Sequence, residues 1–203
     1  MPLLYDKVAL VTGAGRGTGQ AIALALGRAG ARIVVVDVNP DSAQRAADAI
    51  TQSGGLASVQ VADVANKMGV QTMLYAVIEQ WGRIDILVNA AQVTPSRAAL
   101  EMDEWEWNRA LDVNLKGAFL VAQTVARAMK ETGGGLILNI LRPAGATPHA
   151  AVRAAHEGLL GLTAALAAEW SGFGVRVELV AAEEPDRTAD EVVERCGRLM
   201  ADQ

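Results

Sequence analysis

Short runs rich in β-branched residues alternate with longer helical stretches along this sequence. The runs lie at 7–13, 31–38, 56–64, 83–90, 135–141 and 174–181. Apolar residues recur at helical spacing at about 18–30, 40–53, 66–81, 102–131 and 149–171 and, past the sixth run, at roughly 187–201. Right-handed crossovers between parallel strands place helices over both faces of a sheet. The alternation therefore predicts an α/β fold with a doubly wound parallel sheet of about six strands.

The composition is that of a chain able to bury a full core. Of the 203 residues 51% are hydrophobic, and the length favours a single domain over 1–203. The net charge of −5 and the pI of about 5.1 argue against nucleic acid or an anionic membrane as a partner. Cys196 is the only cysteine, so no internal disulfide can form. Because MPLLYDKVALVTG does not read as a secretion leader and no apolar run is long enough to span a membrane, we expect a cytoplasmic protein.

A glycine-rich turn, TGAGRGTG at 12–19, follows the first strand and opens directly into a helix. Glycines let the backbone turn sharply and let a pyrophosphate approach the amides at the positive end of the helix. The spacing is GxxxGxG rather than the strict GxGxxG, and a tight strand-to-helix connection is the alternative interpretation. As a nucleotide site, the turn predicts contacts from Thr12, Gly13, Gly15, Arg16, Gly17, Thr18 and Gly19.

Two acidic residues stand at the ends of the next two strands. Asp37 ends the second strand, where a carboxylate can accept hydrogen bonds from the adenosine ribose hydroxyls. No Lys or Arg directly follows it to offset a 2′-phosphate, so NAD is favoured over NADP; the alternative is that Asp37 caps the next turn. Asp63 ends the third strand and can accept a bond from the adenine amino group, or else cap the helix from about 66.

Together with Asp37, the segments TGAGRGTG, ADV (62–64), LVNAAQ (87–92) and WNRALDVNLKGAF (107–119) resemble the short-chain dehydrogenase/reductase family. The resemblance implies a three-layer Rossmann-type fold and NAD(H) as the cofactor. It adds Val64, Asn89 and Ala90 to the cofactor-binding residues. Asn89 matches the first Asn of the family's NNAG segment, and Gln92 stands at its Gly. It also implies that the family's substrate-covering segment and final strand are missing.

The same resemblance locates the family's catalytic residues. Asn114 matches an Asn that bends a helix and holds a relay water. The stretch that supplies the catalytic Ser corresponds to 139–142 and ends in Arg142, whereas the YxxxK signature has Val152 at its Tyr and His156 at its Lys. Because the Ser, Tyr and Lys are all replaced, the protein is predicted to be catalytically inactive. Alternatively, His156, Arg142 and Asn114 supply replacement chemistry, although His156 also suits a packing role and Arg142 a surface charge.

The helix predicted at 149–171 is apolar on nearly every face. One face can pack on the sheet, and the other must be covered by a second subunit or by the chain's own last helix. We therefore expect a homo-oligomer, or a hetero-oligomer with an active short-chain dehydrogenase, through the helices near 102–131 and 149–171. An NAD(H)-binding partner or regulatory subunit is thus favoured over an active oxidoreductase and a ligand-free scaffold. Two histidines, His149 and His156, without suitably spaced Cys or carboxylates predict no metal site.

Overall fold

One parallel sheet forms the centre of the molecule. The computed structural model describes residues 2–142 and 149–201. The strands are β1 Val8–Thr12, β2 Arg32–Asp37, β3 Leu56–Val61, β4 Ile86–Asn89, β5 Gly135–Leu141 and β6 Val175–Ala181. They lie in the order β3-β2-β1-β4-β5-β6, and all neighbouring pairs are parallel. The direction of winding reverses between β1 and β4, which is where sheets of this kind bind ligands.

The helices cover both faces of this sheet. They are α1 Gly17–Arg28, α2 Pro40–Gln52, α3 Lys67–Trp81, α4 Glu104–Leu111, α5 Ala118–Glu131, α6 Ala150–Trp170 and α7 Pro185–Ala201. A π-helical turn, Asp112–Gly117, joins α4 to α5, and a 3₁₀ turn, Ser171–Phe173, follows α6.

Two hydrophobic clusters fill the space between the sheet and its helices. One contains side chains of α1, α2 and α7, and the other contains side chains of α3, α5 and α6. Successive residues of β1 contribute to opposite clusters: Ala9 and Val11 belong to the first, and Val8 and Leu10 to the second. Every residue of β1 is buried, as expected where helices cover both sides of a parallel strand. The doubly wound α/β fold predicted from the alternation is confirmed, as are the three layers implied by the family resemblance.

The segment at 102–131 differs from the single helix predicted for it. The helix begins at Glu104, where the Asp103 side chain accepts a 2.8 Å hydrogen bond from the amide of Glu106. It then widens into the π-helical turn before α5. Hydrophobic periodicity does not reveal this insertion, because apolar residues recur at helical spacing on both sides of it.

The last helix covers α1, not α6. Helix α7 packs against α1 on the side of the sheet opposite α6, so the alternative that the chain's own last helix covers the outer face of α6 is wrong. Cys196 of α7 is completely buried in this contact, and its burial, with a smaller effect from Glu178, raises the pKa of the thiol to about 12. The thiol is therefore a packing group rather than a reactive one.

Candidate functional site

The turn between β1 and α1 is built to admit a phosphate. Gly13 has a φ of +64°, and a Cβ there would lie 2.7 Å from the Cα of Ala91. A Cβ on Gly19 would overlap the carbonyl oxygen of Gly13. Helix α1 begins at Gly17 after Arg16, whose side chain makes no capping hydrogen bond. The first amides of α1 thus keep their donors at the positive end of the helix, which is an anion-binding arrangement.

Thr12 supports this turn from beneath. Its side chain is buried, and Oγ1 accepts hydrogen bonds from the amides of Ala90 (3.1 Å) and Ala91 (3.3 Å). The end of β4 is thereby fixed beside the end of β1. Thr12 therefore positions the site but does not line the cleft described below.

Asp37 ties the end of β2 to the same turn. Its Oδ2 accepts the amide of Gly15 at 2.9 Å, and its Oδ1 accepts the amide of Asn39 at 3.0 Å. A Cβ on Gly15 would lie 2.7 Å from Oδ2 of Asp37, so a larger residue there would displace this carboxylate. The carboxylate fulfils the predicted turn-capping role and also lines the cleft. The capping residue of α2 itself is Asn39, which accepts the amide of Ser42.

A cleft of about 750 Å³ opens at the carboxyl ends of the strands, over the reversal between β1 and β4. Its volume is in the range of small-molecule and cofactor sites. Among the predicted residues, the cleft is lined by Gly13, Arg16, Gly17, Thr18, Gly19, Asp37, Asp63, Val64, Ala90 and Arg142.

Asp63 has a partner that the sequence did not reveal. Its Oδ2 lies 3.0 Å from Nη1 of Arg109, and its Oδ1 accepts the amide of Ala65. The alternative prediction that Asp63 caps the following helix is wrong, because Asn66 caps α3 by accepting the amides of Met68 and Gly69. The ion pair holds α4 against the end of β3 beside the cleft.

The wall formed by α4 was not predicted. Trp105, Glu106 and Arg109 line the cleft together with Val113 of the π-helical turn. Trp105, Arg109 and Val113 recur every four residues, a spacing that marks one helical face. The spacing is visible in the sequence, but nothing in it says that this face points to the cleft rather than to solvent.

Asn114 uses its amide to hold the loop after β4. Its Oδ1 accepts the amide of Val93, and its Nδ2 donates to the carbonyl of Val93, both at 2.8 Å. Asn114 is buried within the π-helical turn, which agrees with the expected distortion of the helix at this position. Both polar atoms are engaged, so the side chain acts as a positioning group in this structure.

Asn89 joins four elements beneath the cleft. Its Nδ2 donates to the carbonyl of Ala118 (3.2 Å) and to Oδ1 of Asn139 (3.0 Å). Nδ2 of Asn139 in turn donates to Oγ1 of Thr163 at 2.9 Å. All three side chains are buried. The network connects β4, α5, β5 and α6, and Asn89 contributes to the site by holding its base together.

The inner end of the cleft, near β4 and β5, carries Gln92 and Arg142. Nε2 of Gln92 donates to the carbonyl of Ile140 at 2.6 Å, which fixes this side chain across the two strand ends. Arg142 is exposed and lines the cleft. Val152 and His156 lie on the buried side of α6 and are not among the described residues that line the cleft. The structure therefore brings Arg142, but neither Val152 nor His156, to the cleft.

His156 is an acid-sensitive group of the core. Only 6% of the residue is exposed, and burial, with a smaller contribution from Arg153, lowers the pKa of the imidazole below its ordinary value of 6.5; Glu157 opposes the shift. Within 2–142 and 149–201, Nε2 has no hydrogen-bond partner.

We expect His156 to make the folded state less stable in acid. Because its pKa is lower in the folded state, the unfolded chain binds the proton first, so stability falls as the pH drops below about 6.5. One proton limits this effect to about 1.4 kcal/mol per pH unit. Urea unfolding between pH 7.5 and 5 should show a steeper loss for the wild type than for His156→Leu, and equal slopes would contradict the assignment.

These features define a class of protein. A glycine turn feeding the N-terminus of a helix, an acidic residue ending β2 and a cleft at the reversal of strand order are the parts of a dinucleotide-binding site. A family model described as short chain dehydrogenase matches residues 7–189, and the chain belongs to that family.

Relatives and solved structures agree with this assignment. A D-threitol dehydrogenase of Mycolicibacterium smegmatis is 42% identical over 180 residues, which cover 87% of this chain and 69% of that protein. A 3-oxoacyl-[acyl-carrier-protein] reductase of Synechocystis sp. is 38% identical over 188 residues, covering 89% of this chain and 75% of the relative. A metagenomic short-chain oxidoreductase crystallised with NADP superposes with a TM-score of 0.91 at 35% identity, over 96% of this chain and 92% of its own.

Two further features are absent from the described residues. In the described part of the chain, no group of three or more His, Cys, Asp or Glu residues is arranged to hold a metal ion. No helix within the same ranges combines the length and the apolar character needed to cross a bilayer.

Proposed function

We propose that this protein binds NAD(H) without catalysing hydride transfer and serves as a partner or regulatory subunit of an active short-chain dehydrogenase in the cytoplasm. The observation that carries the proposal is the contrast between the two ends of the cleft. At the adenosine and pyrophosphate end, the glycine turn, the open amides of α1 and Asp37 are all in place. At the inner end, the polar side chains that the described residues provide are those of Gln92, Thr94 and Arg142.

None of these three side chains suits general acid catalysis. A bound nicotinamide cofactor supplies the hydride, and the protein must then protonate the alkoxide that forms. A guanidinium does not release its proton in proteins, and the hydroxyl of Thr94 and the amide of Gln92 donate hydrogen bonds but are not acids. Loss of one general acid costs roughly 10²–10⁴ in rate. The described residues of this cleft therefore support binding of the cofactor much better than turnover.

Asp37 favours NAD(H) over NADP(H). The carboxylate lines the cleft at the end of β2, and the next residue is the uncharged and exposed Val38. A 2′-phosphate at this position would meet negative charge. A related structure was determined in complex with NADP, so the preference for NAD(H) is argued from this position of the chain and not from the fold.

The outer faces of α4 to α6 support a subunit contact. A groove between these helices is lined by apolar side chains of the π-helical turn, α5 and α6, among them Leu115, Phe119 and Leu162. On α6 the small residues Ala154, Gly161, Ala164 and Ala168 are exposed, and nothing in the described chain covers them. Exposed apolar surface of this kind is typical of protein interfaces. We propose that the face binds a second copy or an active relative.

The experiment combines a turnover assay with co-expression. The purified protein should bind NADH, seen as quenching of its four tryptophans, and should not oxidise or reduce a panel of alcohols and carbonyl compounds. Co-expression with an active short-chain dehydrogenase from the same cell should give a mixed oligomer. Ala164→Arg on α6 should prevent assembly, whereas Gln71→Arg on the exposed face of α3 should not. Turnover at ordinary enzymatic rates would refute the proposed lack of catalysis. Assembly that is unaffected by Ala164→Arg would refute the proposed subunit contact on α6.

An active NAD-dependent oxidoreductase is the second candidate. Its support comes from relatives that are named as a dehydrogenase and a reductase. In this case His156, Arg142 and Asn114 would have to supply the chemistry, and turnover should be lost in His156→Ala. Retained turnover in that variant would remove His156 from any such mechanism. A ligand-free scaffold, the third possibility, is excluded if NADH quenching is saturable.

A further inference from the structure

Most charged side chains of the cleft already have a partner. Asp63 pairs with Arg109 at 3.0 Å, and Glu106 pairs with Arg97 at 3.3 Å. Asp37 accepts two backbone amides. All three carboxylates lie on the side of the cleft formed by β2, β3 and α4.

Arg16 and Arg142 are different. Both line the cleft, and neither side chain has an ion-pair or hydrogen-bond partner in the described part of the chain. They stand at different places along it. Arg16 precedes the first residue of α1, beside the amides suited to a pyrophosphate. Arg142 directly follows β5, and β5 lies two strands away from β1, on the side opposite β2 and β3.

The sheet order assigns the two halves of a dinucleotide to opposite sides of α1. With a pyrophosphate at the start of α1, the adenosine would extend toward β2, where Asp37 would accept ribose hydroxyls, and the second nucleoside would extend toward β4 and β5. Arg142 is therefore an unpaired cation on the nicotinamide side. The described residues that line this side provide no carboxylate to neutralise it.

We propose that Arg142 makes the cleft distinguish the redox states of the cofactor, so that NADH binds more tightly than NAD⁺. The inference rests on the proposed NAD(H)-binding function and goes beyond it. The oxidised nicotinamide ring carries a positive charge and the reduced ring carries none, whereas the adenosine and pyrophosphate parts are the same in both. Repulsion from the guanidinium raises the free energy of the oxidised complex alone.

The expected size of the effect follows from the openness of the site. Two unit charges several ångströms apart interact strongly in a dry interior and weakly in bulk water. Because Arg142 is exposed, its repulsion of the oxidised ring should be closer to the weak interaction in water than to the strong one in a dry interior. We expect NADH to bind about tenfold more tightly than NAD⁺ at low ionic strength, and the ratio should shrink as salt is added. A non-catalytic subunit with this preference would report the reduction state of the cofactor pool to its partner.

Binding of three ligands tests the role of Arg142 independently of the proposed NAD(H)-binding function. Dissociation constants of ADP-ribose, NAD⁺ and NADH are measured by calorimetry for the wild type, Arg142→Gln, Arg142→Lys and Arg16→Gln. ADP-ribose reports the shared part of the ligand. Arg142→Gln should bring the ratio of the NAD⁺ and NADH constants to about one, and Arg142→Lys should largely preserve it. Arg16→Gln, the matched control, should weaken all three ligands by similar factors because it acts at the pyrophosphate.

Each outcome decides between the two proposals. Binding of all three ligands with equal constants for NAD⁺ and NADH would overturn the role of Arg142 and leave the proposed function standing. A preference for NADH that persists in Arg142→Gln would also overturn it. Failure of all three ligands to bind would overturn the NAD(H)-binding function and this inference with it.

Discussion

Replacing Gly19 by alanine should abolish nucleotide binding and lower the free energy of unfolding by about 3 kcal/mol, the upper end of what overpacking usually costs. The new Cβ would overlap the carbonyl oxygen of Gly13 and lie 3.3 Å from the Cα of Ala14. Both neighbours belong to the backbone of the turn after β1, so no side chain can rotate away. Relief requires α1 to move off the turn, which separates the amides of the helix from the place where a phosphate would lie.

Gly17→Ala is the matched control. Gly17 has a φ of +58°, but a Cβ there would meet no atom within 4 Å. This variant should lose only the roughly 1–2 kcal/mol of a left-handed backbone conformation. Urea denaturation gives the two stabilities, and calorimetry with ADP-ribose gives the affinities. If Gly19→Ala were no less stable than Gly17→Ala, the close contact between the turn and α1 would not be the constraint that we infer.

Asp85→Ala should be the most damaging change away from the cleft, with a loss of roughly 2–4 kcal/mol in the free energy of unfolding. The carboxylate is 3% exposed, accepts the amide of Val8 at 2.9 Å and contacts the guanidinium of Arg83. Lys7 lies 3.7 Å away. Alanine would leave the buried amide at the start of β1 without a partner. This loss in the free energy of unfolding should be smaller than for a fully buried ion pair, because Arg83 and Lys7 are partly exposed and can be hydrated.

Asp6→Asn provides the comparison for this effect. Asp6 pairs with Arg32 at the surface, and its backbone has a φ of 66°, which asparagine tolerates. Loss of an exposed ion pair should cost no more than about 1 kcal/mol. Thermal and urea unfolding of both variants measure the difference. Equal losses would mean that the carboxylate of Asp85 is not held as the buried hydrogen-bonding group that the structure shows.

The strands were the most predictable part of the fold. β-branched residues in β1 and β2 are buried on both faces, so their continuous apolar runs could be recognised directly. The bounds were less predictable, since the run at 83–90 contains only Ile86–Asn89 as strand. Asp85, just before it, shows why: a carboxylate in the apolar run is a partner of Val8, 77 residues away, and local periodicity carries no information about such contacts.

The same distinction between local and long-range contacts separates the site residues that could be predicted from those that could not. Gly13, Gly17 and Gly19 could be placed from the sequence because a strand-to-helix turn around an anion needs glycines at local positions. Arg109 could not, because its role depends on Asp63, 46 residues earlier in the chain. Gln92 likewise acts through the carbonyl of Ile140, a backbone atom that no side-chain pattern reports. The role of His156 in replacement chemistry stays a prediction.

The π-helical turn at Asp112–Gly117 sets the rotation of α4 relative to α5 about their shared axis. Successive residues of an α-helix are about 100° apart around its axis, so one extra residue in the wide turn offsets α4 from α5 by about that angle. Deletion of a single residue there would allow α4 and α5 to form one continuous α-helix while α5 remains packed on the sheet. Trp105 and Arg109 would then swing out of the cleft. The geometry of this wall thus depends on an angular offset set ahead of α5, and a shortened chain could keep its core and still lose its ligand.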